Sequence, residues 1–300
     1  MIDLKDYVRM IEEGQGVYDG CEELAKYIVE IIKSNPNEDF FIISGDDLKF
    51  KNIFFKNLLI YIENLSVKED AAYHVKTKDE SKVLEYCKNI VKWDIKDKIF
   101  NFIEISVDRN NINHYDIGHE LNHSYEDYEI HKNDPNKDIL SYIDPEAYGR
   151  AKTFYTKGNP MQKVVGYIIY VSTGTELRAF TTQALIKFKE NLDKYNNFDD
   201  ALIWQKKNNK VFKEYIENKE SFEHYIENKT YKEVIARIYK QILDTDKNIK
   251  NDKLKNRNKF SNLKTNEIIE KLSNNLLKFE HSLTKHINII LKDYAKKFSI

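Results

Sequence analysis

Two histidines four residues apart are the clearest chemical signal in the 300-residue sequence. The segment reads His119-Glu120-Leu121-Asn122-His123, which is the pattern HExxH. Four residues span about 400° of an α-helix, so both imidazoles face the same way and can bind one metal ion. Glu120 is turned away from direct ligation but can reach a water molecule on that ion. The segment predicts a zinc-binding helix of a hydrolase, with Glu120 as the general base.

A catalytic zinc site needs a third protein ligand, because two histidines alone hold zinc weakly. Glu126 and Glu129 belong to the same helix but point elsewhere or lie too far along its axis. The ligand should therefore come from a later element, and our candidate is Glu176, which opens a helix after the break at residues 172–175. Thr173 and Glu176 also have capping-box spacing, which would explain Glu176 without a metal.

The second motif is Glu176-Leu177-Arg178-Ala179. With HExxH before it, the sequence resembles the gluzincin branch of the zincin metallopeptidases, in which a Glu from a second helix, often in an ExxA setting, completes the two His ligands. The resemblance covers roughly residues 98–190. It implies Zn²⁺ as cofactor and three protein ligands: His119, His123 and Glu176. The longer metzincin pattern is absent because positions 126 and 129 are both Glu.

The resemblance also implies a substrate. Zincins hold the substrate backbone in extended form along the edge strand that precedes the active-site helix, and residues 99–107 are where that strand should be. This implies a peptide or protein substrate bound by strand addition. The expected function is a zinc-dependent metallopeptidase.

Further side chains are expected around such a site. An oxyanion needs a hydrogen-bond donor, for which the candidates are Tyr170, Arg178, His131 and His114. A ligating His usually donates its second N–H to a carboxylate or carbonyl, and the candidate carboxylates are Asp116, Asp127 and Asp144. Each of these residues is more often structural; Arg178, Tyr170 and Asp116 are the ones we carry forward.

The elements that position these residues follow from apolar periodicity. Residues 99–107 alternate in polarity and predict a half-buried strand, followed by a helix over 114–130 that carries HExxH. Strands are also predicted at 39–44 and 72–77. Helices are predicted at 17–34, through Ile53, Phe54, Leu58 and Ile62, at 77–91, at 145–155, after Pro160, and from Glu176 to about Phe188.

Beyond about residue 197 the pattern is helical throughout. Thr230 and Glu233 form a capping-box pair before one of these helices. Residues 247–264 hold seven Lys or Arg against one acid, which is typical of a solvated linker, with a weak phosphate-binding patch as the alternative. Residues 269–294 carry a stripe close to a heptad repeat, for which packing within its own domain is favoured over a partner helix.

These patterns predict an α+β fold that is predominantly helical. The expected organisation is a zincin-like core at 1–195, with a small sheet and an active-site helix, and a helical C-terminal region at 196–300. Only 9 Gly and 4 Pro favour long regular elements. Cys21 and Cys87 are too few for a disulfide framework and are expected to be reduced core residues.

Charge and hydropathy limit the partners. A net charge of -1 gives no general attraction to nucleic acid or to an acidic membrane, so nucleic-acid binding is not expected. The N-terminus lacks the pattern of a signal peptide, and no apolar stretch is long enough to span a bilayer. The expected location is the cytoplasm or another reducing compartment. Abundant Lys, Asn, Ile and Tyr leave a phage-encoded origin open.

The rival hypothesis is a structural or interaction protein. It would keep a zincin fold, for example as a phage or cell-assembly component, and bind a protein partner through its C-terminal helices. Its metal site would be idle or structural. A closed four-ligand zinc site, or no metal, would favour this hypothesis over an enzyme.

Overall fold

The structure is a computed structural model, and it describes most of the chain. The described residues are 20–38, 40–44, 57–62, 72–73, 101–105, 112–133, 144–195, 197–243 and 263–298. The chain divides into two compact units, Met1–Ile139 and Leu140–Ile300. The domain boundary predicted after residue 195 falls inside the second unit.

The first unit combines helices with short strands. Helix α1 covers residues 20–34. The strands are β1 (Phe40–Ser44), β2 (Asn57–Ile62), β3 (Ala72–Tyr73) and β4 (Asn101–Ile105). Their spatial order is β1-β2-β4-β3, and only the β2–β4 pair is parallel. Helix α2 (His114–Asn133) packs against β3 and β4.

Helix α2 is fixed by the apolar core of this unit. Its residues Ile117 and Leu121 are buried against α1, whose inward face consists of Cys21, Leu24, Ala25, Ile28, Val29 and Ile32. Fully burying such a side chain stabilises the fold by about 1.5–3 kcal/mol. His119 lies two residues beyond Ile117, about 200° around the helix. The histidines are therefore on the face of α2 opposite to the one held by the core.

The second unit is a bundle of helices. In chain order they are α3 (Pro145–Lys157), α4 (Pro160–Val171), α5 (Gly174–Lys189), α6 (Phe198–Asn208), α7 (Lys210–Glu227), α8 (Lys229–Leu243) and α9 (Thr265–Phe298), with a short 3-10 turn at Leu192–Lys194. The 34-residue α9 packs against α4, α5, α6 and α8. Its apolar stripe, including Leu272, Phe279 and Leu283, is buried within this unit.

Helices α3 and α4 approach each other closely at Gly166. A Cβ atom at this position would lie 2.6 Å from the Tyr155 backbone nitrogen and 2.7 Å from the Ala151 carbonyl oxygen. Both distances are shorter than carbon can tolerate, so only glycine fits without moving α3. The turn between the helices is fixed by Asn159 and Gln162, which form a reciprocal capping box at the start of α4.

The predicted fold class is wrong. Helix accounts for 87% of the residues whose side chains the structure describes, and strand for 1%, so the class is all-helical rather than an α+β zincin core. The strand segments are only two to six residues long. The strand before α2 also does not form an edge: Ile103 of β4 pairs with Ile60 of β2 on one side and with Tyr73 of β3 on the other. Strand β4, the described part of the predicted strand 99–107, therefore does not provide the edge strand that zincins use to hold substrate.

Other predicted elements differ locally. The helix predicted through Leu58 and Ile62 is strand β2, which is paired on both sides. Helix α8 is capped by Asn228, whose side chain accepts from the Thr230 and Tyr231 backbone amides, rather than by Thr230. The helix predicted at 77–91 and most of the basic segment 247–264 lie outside the described residues. In the described ranges, no helix combines the length and apolarity needed to cross a membrane.

Candidate metal centre

Helix α2 begins at a well-defined cap. The Asn113 side-chain oxygen accepts from the backbone amides of Tyr115 and Asp116, both at 3.0 Å. The Asn113 amide nitrogen donates to the Asp116 carboxylate at 2.6 Å. These bonds satisfy amides that a helix start leaves without partners inside the helix. The cap fixes where the helix starts, and hence the rotational position of the HExxH residues.

His119 and His123 meet on one side of α2. Their Nε2 atoms are 3.2 Å apart, and their rings are nearly perpendicular, with an interplanar angle of 78°. Two imidazole nitrogens bound to one tetrahedral zinc ion, each at 2.0–2.1 Å, lie roughly 3.3 Å apart. Both side chains are 8% exposed. The two histidines therefore have the separation that shared ligation of zinc requires.

Glu120 follows His119 directly and is buried to the same extent as the histidines. One residue is about 100° of helix rotation, so its carboxylate leaves the helix beside the imidazoles rather than with them. Glu126, the nearest later carboxylate of α2 whose side chain is described, lies near Cys21 of α1. Burial raises the pKa of the Cys21 thiol, and the charge of Glu126 raises it further.

Glu176 lies in the first turn of α5 and is 2% exposed. The capping box that could have explained it does not form: Thr173 makes no side-chain cap bond, and its hydroxyl donates to the Tyr170 carbonyl oxygen. The Glu176 carboxylate instead accepts from the Tyr148 hydroxyl, at 2.5 Å to Oε1. A buried carboxylate held by a tyrosine is not the arrangement of an ordinary helix cap.

One ligand atom from each of His119, His123 and Glu176 lies within 4.8 Å of the other two. These are the three residues that the sequence predicted as metal ligands. Their donor set, two imidazole nitrogens and one carboxylate oxygen, is that of catalytic zinc sites with two His and one Glu. Among the residues that the structure describes, no fourth His, Cys, Asp or Glu belongs to this group.

The oxyanion candidates are placed differently from one another. Tyr170 is buried on α4, and its hydroxyl is 3.3 Å from that of Tyr148, the residue that binds Glu176. Arg178 is exposed and lies two residues beyond Glu176, which places it about 200° around α5 from that residue. The His114 ring packs against Tyr115 at the start of α2. The side chain of His131 lies outside the described residues.

Two of the three carboxylates predicted to accept from a ligating histidine cap helices instead. Asp116 accepts from Asn113 and belongs to the cap of α2. Asp144 caps α3, accepting from the Glu146 and Ala147 backbone amides, each at 3.2 Å. The Asp127 side chain lies outside the described residues. Capping thus explains the positions of Asp116 and Asp144.

Sequence reasoning missed Tyr148. It lies in the first turn of α3, 28 residues before the glutamate to which it donates. No local pattern marks it among 20 tyrosines. Asn113 was also missed, although an Asn three residues before Asp116 at the start of a helix is a recognisable capping signal.

Comparison with known proteins returned no match among protein-family models, curated proteins or solved structures. The resemblance to gluzincins therefore rests on the motif residues themselves. Those residues are His119, Glu120, His123 and Glu176.

Proposed function

We propose that this chain is a zinc-dependent hydrolase of the peptidase type, with His119, His123 and Glu176 as metal ligands. The observation that carries the proposal is the 3.2 Å separation of the two Nε2 atoms on one helix. Glu176 supports it because its ligand atom lies within 4.8 Å of both imidazoles.

The donor set favours a catalytic over a structural zinc. Structural zinc sites have four protein ligands, whereas catalytic sites have three and keep one position for water or substrate. Only three such ligands come together in the described part of the chain. Zinc bound there would lower the pKa of a coordinated water toward neutrality.

Glu120 is assigned as the general base. It adjoins His119 in sequence, and its side chain leaves α2 about 100° from that ligand, so it can reach a water beside the ligand face without competing for the ion. Its role is to take a proton from the attacking water and deliver it to the leaving nitrogen. Its burial limits competing hydration of the carboxylate.

Only the chemistry of the HExxH motif supports the proposed peptide substrate. Because β4 is paired on both sides, it does not offer the strand edge that was expected to bind a peptide. The proposal therefore specifies amide hydrolysis and makes no use of strand addition at β4.

The experiment is hydrolysis of an unstructured protein such as casein, and of a mixed-sequence peptide library, by the purified full chain. Mass spectrometry would identify new termini. We expect cleavage that stops when zinc is removed with 1,10-phenanthroline and returns when zinc is added back. Zinc bound without any cleavage of either substrate would overturn the peptidase proposal and favour the structural hypothesis.

A further inference from the structure

Tyr148 contacts the one predicted ligand that does not come from HExxH. Its hydroxyl donates to Oε1 of Glu176. The tyrosine belongs to α3 and the glutamate to α5, so the bond joins two helices of the second unit. Tyr148 itself is half-buried, and its helix begins at a firm cap provided by Asp144. The donor is therefore held by its own helix and not by the glutamate alone.

A second tyrosine holds the first. The Tyr148 and Tyr170 hydroxyls are 3.3 Å apart, and their ring centroids are 5.1 Å apart. A phenol has a single O–H donor. Because Tyr148 uses it in the hydrogen bond to Glu176, the hydrogen bond between the two hydroxyls requires Tyr170 to donate to the Tyr148 oxygen. Tyr170 in turn stacks on Tyr155, at 5.9 Å and an interplanar angle of 26°. The result is a hydrogen-bonded series that runs from Tyr170 through Tyr148 to Glu176.

The packing of α3 on α4 sets the geometry of this series. Tyr148 is on α3 and Tyr170 on α4, and these helices touch where Gly166 lies against the Ala151 and Tyr155 backbone. Because a Cβ atom at Gly166 does not fit, the spacing between the two helices is narrowly defined. The positions of the two hydroxyls follow from that spacing.

We infer that Tyr148 is a positioning residue, which orients the Glu176 carboxylate for metal binding. This inference rests on the proposed function. A glutamate carboxylate turns about its last torsion with little preference. A donor fixed on Oε1 selects one orientation, and ligation through a single oxygen then uses Oε2. Hydrogen bonds of this kind to a ligating group typically contribute 10–100-fold to metal affinity.

The chain offers a matched control. Tyr155 is also a half-buried tyrosine of α3, but its hydroxyl donates to Glu214 rather than to Glu176. Tyr155→Phe and Tyr148→Phe each remove one hydroxyl and one bond to a carboxylate, and both keep the ring. Only Tyr148→Phe removes the bond to the predicted ligand.

The experiment measures zinc affinity of the full chain by competition with a chromogenic chelator. We expect Tyr148→Phe to bind zinc about 10–100-fold more weakly than the wild type, and Tyr155→Phe to bind it as tightly as the wild type. With Co²⁺ in place of zinc, the visible absorption bands should shift in Tyr148→Phe and not in Tyr155→Phe. Tyr170→Phe, which removes the support for Tyr148, should weaken binding by a smaller factor and serves if Tyr148→Phe does not fold.

Two results would overturn the inference alone. One is wild-type affinity in Tyr148→Phe, or in Tyr170→Phe if only that variant folds, while Glu176→Ala loses zinc. The other is an equal loss in Tyr148→Phe and Tyr155→Phe, which would mean that packing rather than orientation is responsible. Failure of the proposed function is distinguishable: without the metal site the wild type itself would bind no zinc, and without peptidase activity it would bind zinc but cleave neither substrate.

Discussion

The Nε2 atoms of His119 and His123 lie 3.2 Å apart on the face of α2 opposite to Ile117 and Leu121. The apolar pair is held in the core of the first unit, so the helix has little freedom to rotate. The Asn113 cap fixes the start of the same helix. Core packing and capping together fix the rotation of α2 and so keep the two imidazoles on the same side of the helix.

Replacing one of these histidines should abolish tight zinc binding. His123→Ala leaves one imidazole on α2, which removes the chelation on which the predicted site depends. We expect the zinc content after dialysis to fall from about one ion per chain to near zero, measured by atomic emission. His224→Ala is the control, because His224 is exposed on α7. Equal zinc in both variants would exclude His123 as a ligand.

Glu120→Gln separates binding from catalysis. The amide keeps the shape of the side chain but cannot accept a proton from water. We expect unchanged zinc content and a fall in kcat of about 10²–10⁴, the usual contribution of a general base. Peptide hydrolysis and metal content should be measured on the same preparation. Wild-type kcat in this variant would assign the base to another residue.

Gly166→Ala tests the close contact of α3 and α4. The added Cβ would meet backbone atoms of Ala151 and Tyr155, which cannot turn away as a side chain could. We expect the free energy of unfolding to fall by about 1–3 kcal/mol, measured by urea denaturation.

Gly149→Ala is the control for this contact. Gly149 is an exposed residue inside α3, and nothing lies within 4 Å of the Cβ position. Alanine there should stabilise the protein by about 0.5–1 kcal/mol, because it favours the helix. A loss of stability at Gly149 as large as that at Gly166 would contradict the packing explanation.

His286 should make stability depend on pH. Burial, together with the nearby positive charges of Lys285 and His281, lowers the pKa of His286 in α9 to about 4. Because its pKa is lower in the folded than in the unfolded state, the unfolded chain binds more protons between these values. The free energy of unfolding is therefore at its full value above about pH 6.5. It falls by about 3 kcal/mol as the pH falls toward 4.

Urea denaturation across this pH range would check the prediction. His286→Gln does not titrate, so its free energy of unfolding should fall less than that of the wild type between about pH 6.5 and pH 4.5. His224→Gln, at an exposed site on α7, should follow the wild type. Parallel curves for His286→Gln and the wild type would show that His286 does not contribute.

The sequence predicted α2 well because the signal is local. Helix spacing places His119 and His123 together, and the bounds of the helix differ from those predicted only at its C-terminal end. The segment at 57–62 was misread because Leu58 and Ile62 fit a helical repeat, while the run from Leu58 to Ile62 also fits a strand buried between two others. Pairing with β1 and β4 decides between them, and that information is not local.

The residues of the candidate site also differ in whether a local sequence signal predicts them. Spacing alone is enough to select Glu176 as a possible ligand, but in the sequence a capping box with Thr173 explains it equally well. The structure excludes that capping box, because the Thr173 hydroxyl donates to the Tyr170 carbonyl oxygen. Tyr148 depends on α3 and α5 coming together in the bundle. A contact between helices separated in sequence leaves no trace in the periodicity of either one.

The most direct test of the account is the zinc content of the wild type and of Glu176→Ala, prepared and dialysed side by side. Glu190→Ala, at the exposed C-terminal end of the same helix, is the control. The account predicts about one zinc per chain in the wild type and in Glu190→Ala, and almost none in Glu176→Ala. Full zinc occupancy in Glu176→Ala, or no zinc in the wild type, would contradict it.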